Sequence, residues 1–242
     1  MNVSLYQAAA ALNANDRWQE IISQNLAAGT VPGFKKQELA FSAIAATQAQ
    51  GAVMPATQVV TDFQQGQIRP TGVSTDLAID GDGFFQVQLP GGQTGYTRDG
   101  EFQFNAQGEL VTKQGYLVQS DGGTIQIDRN NPAPLSIAAD GTVSQGSEIK
   151  GQLKLTTFND PHLLRTIGNG YFTATDPNLI PSAATAATVR QGYLEAGNVS
   201  PVAEMAHLVA AMRQYEANQR VVQIHDDRMA RAISELGNPN PS

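Results

Sequence analysis

Cysteine is absent from the 242 residues, which excludes disulfides, thiolate metal sites and cysteine nucleophiles. Histidine is scarce: only His162, His207 and His225 occur, and no pair has the i,i+4 spacing of helical zinc motifs. Charge is thin as well, at 15% of residues, against roughly 25% in an average globular protein. The 15 basic and 22 acidic groups leave a net charge of −7. A sequence-independent nucleic-acid binder needs clustered Lys and Arg to displace counterions, so no nucleic-acid partner is expected. No run approaches the roughly 18 to 20 apolar residues of a membrane helix, so no direct membrane insertion is expected either. A cleaved secretory leader is not expected: no Lys or Arg lies between Met1 and Asp16, and the run Ala8 to Leu12 soon gives way to Asn13, Asn15, Asp16 and Arg17.

What is present is organised by glycine. Of 23 glycines, 19 lie between Gly66 and Gly197, so the middle is rich in turns and the ends are not. With 41% hydrophobic residues, a packed core is within reach. The reading is an α+β protein with N- and C-terminal helices pairing as a coiled-coil stalk and a central antiparallel β domain inserted between them. Residues 1–30 form the N-terminal helix, 31–75 an extended linker region, 76–190 the β domain, and 191–242 a connecting segment and the C-terminal helix. The stretch Gln37 to Thr75 fits a linker or a subunit-contact segment equally well.

The first helix places Leu5, Leu12 and Leu26 at heptad spacing, with Ala8 and Ile22 on the adjacent seam. Asn15 and Gln19 make that seam narrow and partly polar, and Gly29 and Pro32-Gly33 stop it. The last helix opens on Ser200 as N-cap and Pro201 at the first helical position. Two interleaved heptad rows run along it: Met205, Met212, Gln219, Asp226 and Ile233, and Leu208, Tyr215, Val222, Met229 and Leu236. Gly237 and Pro239 terminate it. A span of about 48 Å from Met205 to Leu236 exceeds what a small domain of the same chain can cover, so a coiled-coil partner is expected: the first helix, other copies of the chain, or both. Gln219 and Asp226 interrupt the first row, either to select register against a neighbour or because that side is exposed.

Five Asp-Gly dipeptides, at residues 80, 82, 99, 121 and 140, predict tight turns in the centre. Between them lie the alternating runs Phe85, Val87, Leu89; Phe102, Phe104; Ile125, Ile127; and Leu153, Leu155. This spacing suggests a small sandwich or barrel-like meander.

Candidate chemistry is sparse. Asp80-Gly81-Asp82-Gly83 reads as a turn, since the fifth position of a calcium loop would be Phe84 and the twelfth Gly91. Consecutive His225, Asp226 and Asp227 point about 100° apart on a helix and cannot converge on one ion. Arg98 and Asp99 read as a surface ion pair of small worth. No serine elbow or phosphate loop is present, so the expectation is no enzyme, no catalytic residue, no cofactor and no metal site. Two readings from other classes are an extracellular adhesive or binding β module on a helical stalk, and a metal-dependent hydrolase using His162, His207 or His225.

Several stretches form one ordered set: Asn25-Leu26-Ala27-Ala28-Gly29-Thr30-Val31-Pro32-Gly33-Phe34-Lys35, Leu77 to Phe85, Tyr96-Thr97-Arg98-Asp99-Gly100-Glu101-Phe102, Gly192-Tyr193-Leu194-Glu195-Ala196-Gly197-Asn198-Val199, and Tyr215-Glu216-Ala217-Asn218-Gln219. Together they resemble the bacterial flagellar basal-body rod and hook proteins. The first stretch is similar to the rod signature of that family (Asn25, Leu26, Ala27, Pro32, Gly33, Phe34 and Lys35), with Ala28 and Thr30 where Asn is usual. The resemblance implies a structural subunit, exported through the flagellar type III apparatus without a cleaved leader and stacked helically into the periplasmic rod between motor and hook. It implies copies of itself and other rod and hook proteins as partners. The spacing from Lys36 to Leu77 looks more like the proximal than the distal rod type. The expected assembly seam is Leu5, Leu12, Ile22, Leu26, Met205, Leu208, Met212, Tyr215, Val222, Met229, Ile233 and Leu236, ordered fully only when neighbours cover it.

Overall fold

The structure is a computed structural model that describes residues 3–45 and 53–236. The class is α+β: two long terminal helices in contact flank, along the sequence, a central antiparallel β region. The chain divides into two compact units, one of residues 1–27, 37–60 and 200–242, the other of residues 28–36 and 61–199.

In the first unit, helix α1 covers Val3–Ala28 and helix α2 covers Pro201–Leu236. The Ser200 carbonyl accepts the Glu204 N–H and opens α2. Gly237 and Pro239, expected to close it, lie outside the described residues. The helices meet through Asn25, whose Nδ2 donates to Glu204 Oε2 at 3.3 Å, and through Trp18, whose ring lies 6.4 Å from that of His207. As numbers fall along α1 they rise along α2, so the pair is antiparallel.

Burial along α2 identifies the face turned to α1. Glu204 and Ala211 are buried, and Leu208, Tyr215, Asn218, Val222 and His225 are half-buried. These residues recur at alternating steps of four and three, the spacing of one heptad stripe. On α1 the matching stripe is Ala11, Asn15, Trp18, Ile22 and Asn25, all buried or half-buried. Residues 37–45 and 53–61 form two paired strands in addition.

The second unit is built on a ten-stranded sheet. Its main path runs Arg165–Gly168, Tyr171–Thr173, Thr94–Thr97, Phe84–Gln88, Leu117–Ser120, Leu110–Thr112, Phe102–Phe104. The strand Leu155–Phe158 returns to pair with Phe84–Gln88 on one side and Pro181–Ala183 on the other. Leu77–Asp80 pairs with Thr188–Gln191, and Ile68–Pro70 with Tyr193–Glu195. These long-range pairings make the arrangement more than the meander the turn spacing suggested.

Successive residues of a strand face opposite sides, and this splits the core. Phe85, Val87 and Leu89 enter a cluster with Leu77, Ile79, Phe102, Leu110 and Val118. Phe84 enters a second cluster with Tyr96, Phe158, Leu164 and Phe172. Edge-to-face ring pairs recur in both, with centroids 5.0 Å apart for Phe85–Phe102 and 4.8 Å for Tyr96–Phe158.

The Asp-Gly dipeptides serve different ends. Gly141 takes φ 84° in the turn closed by Ala138 and Thr142, as such a turn requires. Gly100 is not left-handed; it is glycine because a Cβ there would collide with the Leu77 carbonyl oxygen, whose own N–H donates to the Gly100 carbonyl at 3.0 Å. Gly122 is neither, for a Cβ there would meet open space. Gly100→Ala is therefore expected to cost about 1 to 3 kcal/mol, and Gly122→Ala to be neutral or to stabilise by under about 1 kcal/mol. Chemical denaturation of the two variants side by side checks this.

Candidate functional site

Three of the motif stretches converge at one carboxylate. Glu195 ends the strand Tyr193–Glu195, and its side chain is wholly buried. Oε1 accepts from Lys35 Nζ at 2.6 Å and from the Gly66 N–H at 2.8 Å. Oε2 accepts from Arg98 Nη1 at 3.2 Å. The Glu195 backbone carbonyl accepts the Gly33 N–H at 2.7 Å. Lys35 donates further to the Gln64 carbonyl, and Arg98 Nη2 to the Gly81 carbonyl. The Arg98 guanidinium also lies over the Phe84 ring, 5.4 Å from its centroid.

Lys35, Arg98 and Glu195 come from three different motif stretches, and each is at most 4% exposed. Burial pushes the Lys35 ammonium below its ordinary value, against the pull of Glu195, and lowers Arg98 in the same way. Two cations on one carboxylate in a dry site make the carboxylate indispensable: without it, two buried charges would be left uncompensated. The expectation of a surface pair at Arg98 and Asp99 is thus corrected. Arg98 pairs with Glu195, not with its neighbour, because the strand Thr94–Thr97 carries it into the interior. No local pattern in the sequence marked this.

Gly33 belongs to the same construction. It sits at φ 66°, and a Cβ there would collide with the Arg98 backbone, so both conformation and space require glycine. Phe34 and Pro32 are half-buried. Asn198 closes the neighbouring segment: its Oδ1 accepts the Lys36 N–H at 2.7 Å and its Nδ2 donates to the Asp62 carbonyl at 2.9 Å. A side-chain amide here replaces a rung of backbone pairing. In the first unit Asn25 does the same for Gln37, accepting its N–H at 2.9 Å and donating to its carbonyl at 2.8 Å. Leu26 is half-buried and Ala27 exposed on the same turn of α1.

Asp99, next to Arg98, is pushed up to about 6 by burial, offset by the Glu101 N–H bond and Lys113 and raised further by Glu101 and Asp76. Its Oδ1 accepts the Glu101 N–H at 3.0 Å.

The expected seam residues divide. Ile22 is buried; Leu12, Leu26, Leu208, Tyr215 and Val222 are half-buried. Met205 and Met212 are each 53% exposed and lie off the α1-facing stripe. Met229 continues that stripe and is 45% exposed, while Ile233, in the row of Met205 and Met212, is 70% exposed. The side chains of Leu5 and Leu236 lie outside the described residues. Gln219 and Asp226 are exposed within the subunit, while the stripe itself carries Asn15 and Asn218, each with a buried Nδ2 that has no partner among the described residues.

The histidines have separate structural surroundings. His162 Nδ1 contacts the Thr61 carbonyl, His207 lies beside Trp18, and His225 is half-buried on α2. Among the described residues no group of three His, Asp or Glu side chains is placed to hold a metal. Among them, too, no helix is long and apolar enough to cross a membrane.

Two outcomes test this geometry. Glu195→Gln is expected to destabilise the β unit by about 3 to 5 kcal/mol, with part recovered when Lys35→Met removes one stranded cation; denaturation of the single and double variants measures it. Asp99 gives a pH signature. Its native pKa of about 6 exceeds the ordinary value of 3.8, so the folded state binds a proton more tightly, and stability rises as pH falls through 6 towards 4. Asp99→Asn should then be more stable than the parent by up to roughly 3 kcal/mol at pH 8 and equal to it at pH 4, read from melts at both.

Two family descriptions match the chain. Residues 78–145 match the flagellar hook protein FlgE/F/G D1 domain, and residues 190–235 the flagellar basal body rod FlgEFG protein C-terminal region. Similar relatives include the flagellar basal-body rod protein FlgF of Caulobacter vibrioides, 36% identical over 230 residues covering 91% of this chain and 92% of that protein. Another is the rod protein FlgG of Borreliella burgdorferi, 31% identical over 257 residues covering 93% and 96%. FlgF of Mesorhizobium japonicum is 32% identical over 241 residues covering 98% and 99%. With matches of this extent to both ends and the centre, the chain belongs to the flagellar basal-body rod protein family, whose members are structural and not enzymes.

Proposed function

We propose that this protein is the proximal rod subunit, built into the periplasmic shaft between motor and hook. In this reading it stacks helically on copies of itself and on other rod and hook proteins, after export by the flagellar type III apparatus. The observation that carries the assembly reading is the outer face of α2. Val202, Met205, Val209 and Met212 are each half or more exposed, and at spacings of three and four they form a second apolar row. A soluble monomer gains nothing from such a row, whereas a neighbouring subunit would cover it.

The apolar stripe of α2 also outruns α1. With equal rise on both helices, the start of α1 falls level with about residue 226 of α2; Met229 of that stripe lies beyond it, as does Ile233 of the Met205 row. The proposed seam therefore has an inner part, Leu12, Ile22, Leu26, Leu208, Tyr215 and Val222, and an outer part, Met205, Met212, Met229 and Ile233, with Leu5 and Leu236 assigned by spacing alone.

The proximal type is favoured by length. Alignments to FlgF proteins run over 230 to 250 residues, around the 242 of this chain. The FlgG alignment runs over 257 residues, which this chain can fill only with gaps.

Aspartate at Tyr215 or Val222 would disturb the subunit's own helix pair. Aspartate at Met205 and Met212 separates assembly from folding: the doubly substituted chain should keep the parent's helix content by circular dichroism yet fail to enter rods, and normal incorporation would refute the outer seam. Expression in cells lacking FlgF should restore rods and motility, and expression in cells lacking FlgG should not; the reverse pattern would make this the distal subunit.

A further inference from the structure

The hairpin joining Arg165–Gly168 to Tyr171–Thr173 turns on two residues, Asn169 and Gly170. Asn169 is the only non-glycine among the described residues with positive φ, at 52°, and Gly170 comes next at 76°. These values and the pairing of Gly168 with Tyr171 define a two-residue turn of the type in which both central residues are left-handed. Asn169-Gly170 is also the sole Asn-Gly dipeptide in the chain. Asn169 is exposed; Gly170 is itself buried, though a Cβ there would meet nothing within 4 Å. The peptide between them lies at the tip, beyond the last paired residues, so no ladder rung holds it.

From this turn we infer a self-modification site: Asn169 loses its side-chain amide by cyclisation onto Gly170, with water as the only co-reactant. The Gly170 nitrogen, its proton taken up by hydroxide, attacks Asn169 Cγ. A bond forms between them, and the side-chain nitrogen leaves as ammonia, protonated by water. The resulting five-membered succinimide is opened by water at either carbonyl, which gives aspartate or its β-linked isomer. No oxidant, metal or enzyme enters, and asparagine is among the thermally labile residues. Glycine is the succeeding residue least able to obstruct the ring, since it has no side chain beside the attacking nitrogen.

The turn is connected to the motif that carries Arg98. The Gly170 carbonyl accepts from Thr97 Oγ1 at 2.9 Å, and Thr97 Oγ1 accepts the Asp99 N–H at 3.0 Å. Tyr171 and Phe172, immediately after the turn, enter the two different core clusters. A β-linked residue adds a methylene to the backbone of a two-residue turn and displaces the strand that begins at Tyr171, so conversion loosens this hairpin and the Thr97 bond together. This inference is independent of the assembly reading and stands or falls on its own chemistry.

The test is ageing of the purified full-length protein at 37 °C at neutral and mildly alkaline pH, with peptide mapping at intervals. The peptide bearing Asn169 should be the first asparagine peptide to show the mass gain of amide-to-acid exchange. It should appear in two isomeric forms and form faster at the higher pH. Asn169→Gly, which keeps a residue suited to positive φ but has no amide, should abolish that first gain while the protein melts as the parent does. An Asn169 peptide unchanged in the folded protein while it converts in the denatured chain would overturn the inference, as would earlier conversion at any other asparagine.

Discussion

A buried carboxylate holding two cations constrains most of what surrounds it in the β unit. Glu195 binds Lys35 and Arg98, and none of the three reaches appreciable solvent. Ions are taken out of water at large cost, which is recovered only when geometry is good and every partner is in place. The three residues are 63 and 97 positions apart in sequence, so the site joins segments that are distant along the chain. The short piece 28–36 belongs to this unit although a stretch of the other unit separates it from the rest. Lys35, the Gly33 N–H and the bonds of Lys36 to Asn198 and Asp62 tie it in. An apolar contact could supply as much energy, but it would not fix which side chain must meet which.

The helical unit is held differently. Its inner stripe is mixed: Asn15, Asn25, Asn218 and Glu204 share it with Trp18, Ile22, Leu208, Ala211, Tyr215 and Val222. Polar groups at seam positions restrict register at a cost in stability, and Asn25 shows how, since one amide pairs both with the Gln37 backbone and with Glu204. A helix pair of this composition has modest stability by itself, since most helical stability comes from tertiary burial. The side chains able to add burial, Met205, Val209 and Met212, point away from α1.

The local features of this fold were legible and the convergent ones were not. Heptad spacing marked both helices, and the run Phe85, Val87, Leu89 entered the core as its alternation implied, because helix and strand periods are written in neighbouring residues. Of the runs Ile125, Ile127 and Leu153, Leu155, only Ile125 and Leu153 are fully buried there. Spacing alone could not tell which α2 row faces α1. The two rows differ by a rotation about the helix axis, and that is settled by the partner. Arg98 was misread for a related reason: a charge beside a turn looks exposed until distant strands close over it, and its counter-ion lies 97 residues away. The Gly100 requirement is equally non-local, being the nearness of Leu77 rather than a backbone angle. Asn169-Gly170, by contrast, is as local as any Asp-Gly and suits the same left-handed turn.

Two unlike faces on α2 answer the needs of a helical polymer. A closed dimer can use one self-complementary patch, but an open helix needs heterologous contacts, in which a surface on one subunit meets a different surface on the next. A helix with a single apolar stripe would be used up by its own partner in the chain. Here the stripe containing Leu208, Tyr215 and Val222 is taken by α1, and the row containing Met205 and Met212 remains available. In the proposed assembly, methionines would suit that position because their unbranched side chains adapt to neighbours of differing shape. The ionic site and the exposed helical face thus answer opposite demands in the proposed assembly: one specifies which segments of the β unit meet, and the other would adapt to a neighbouring subunit.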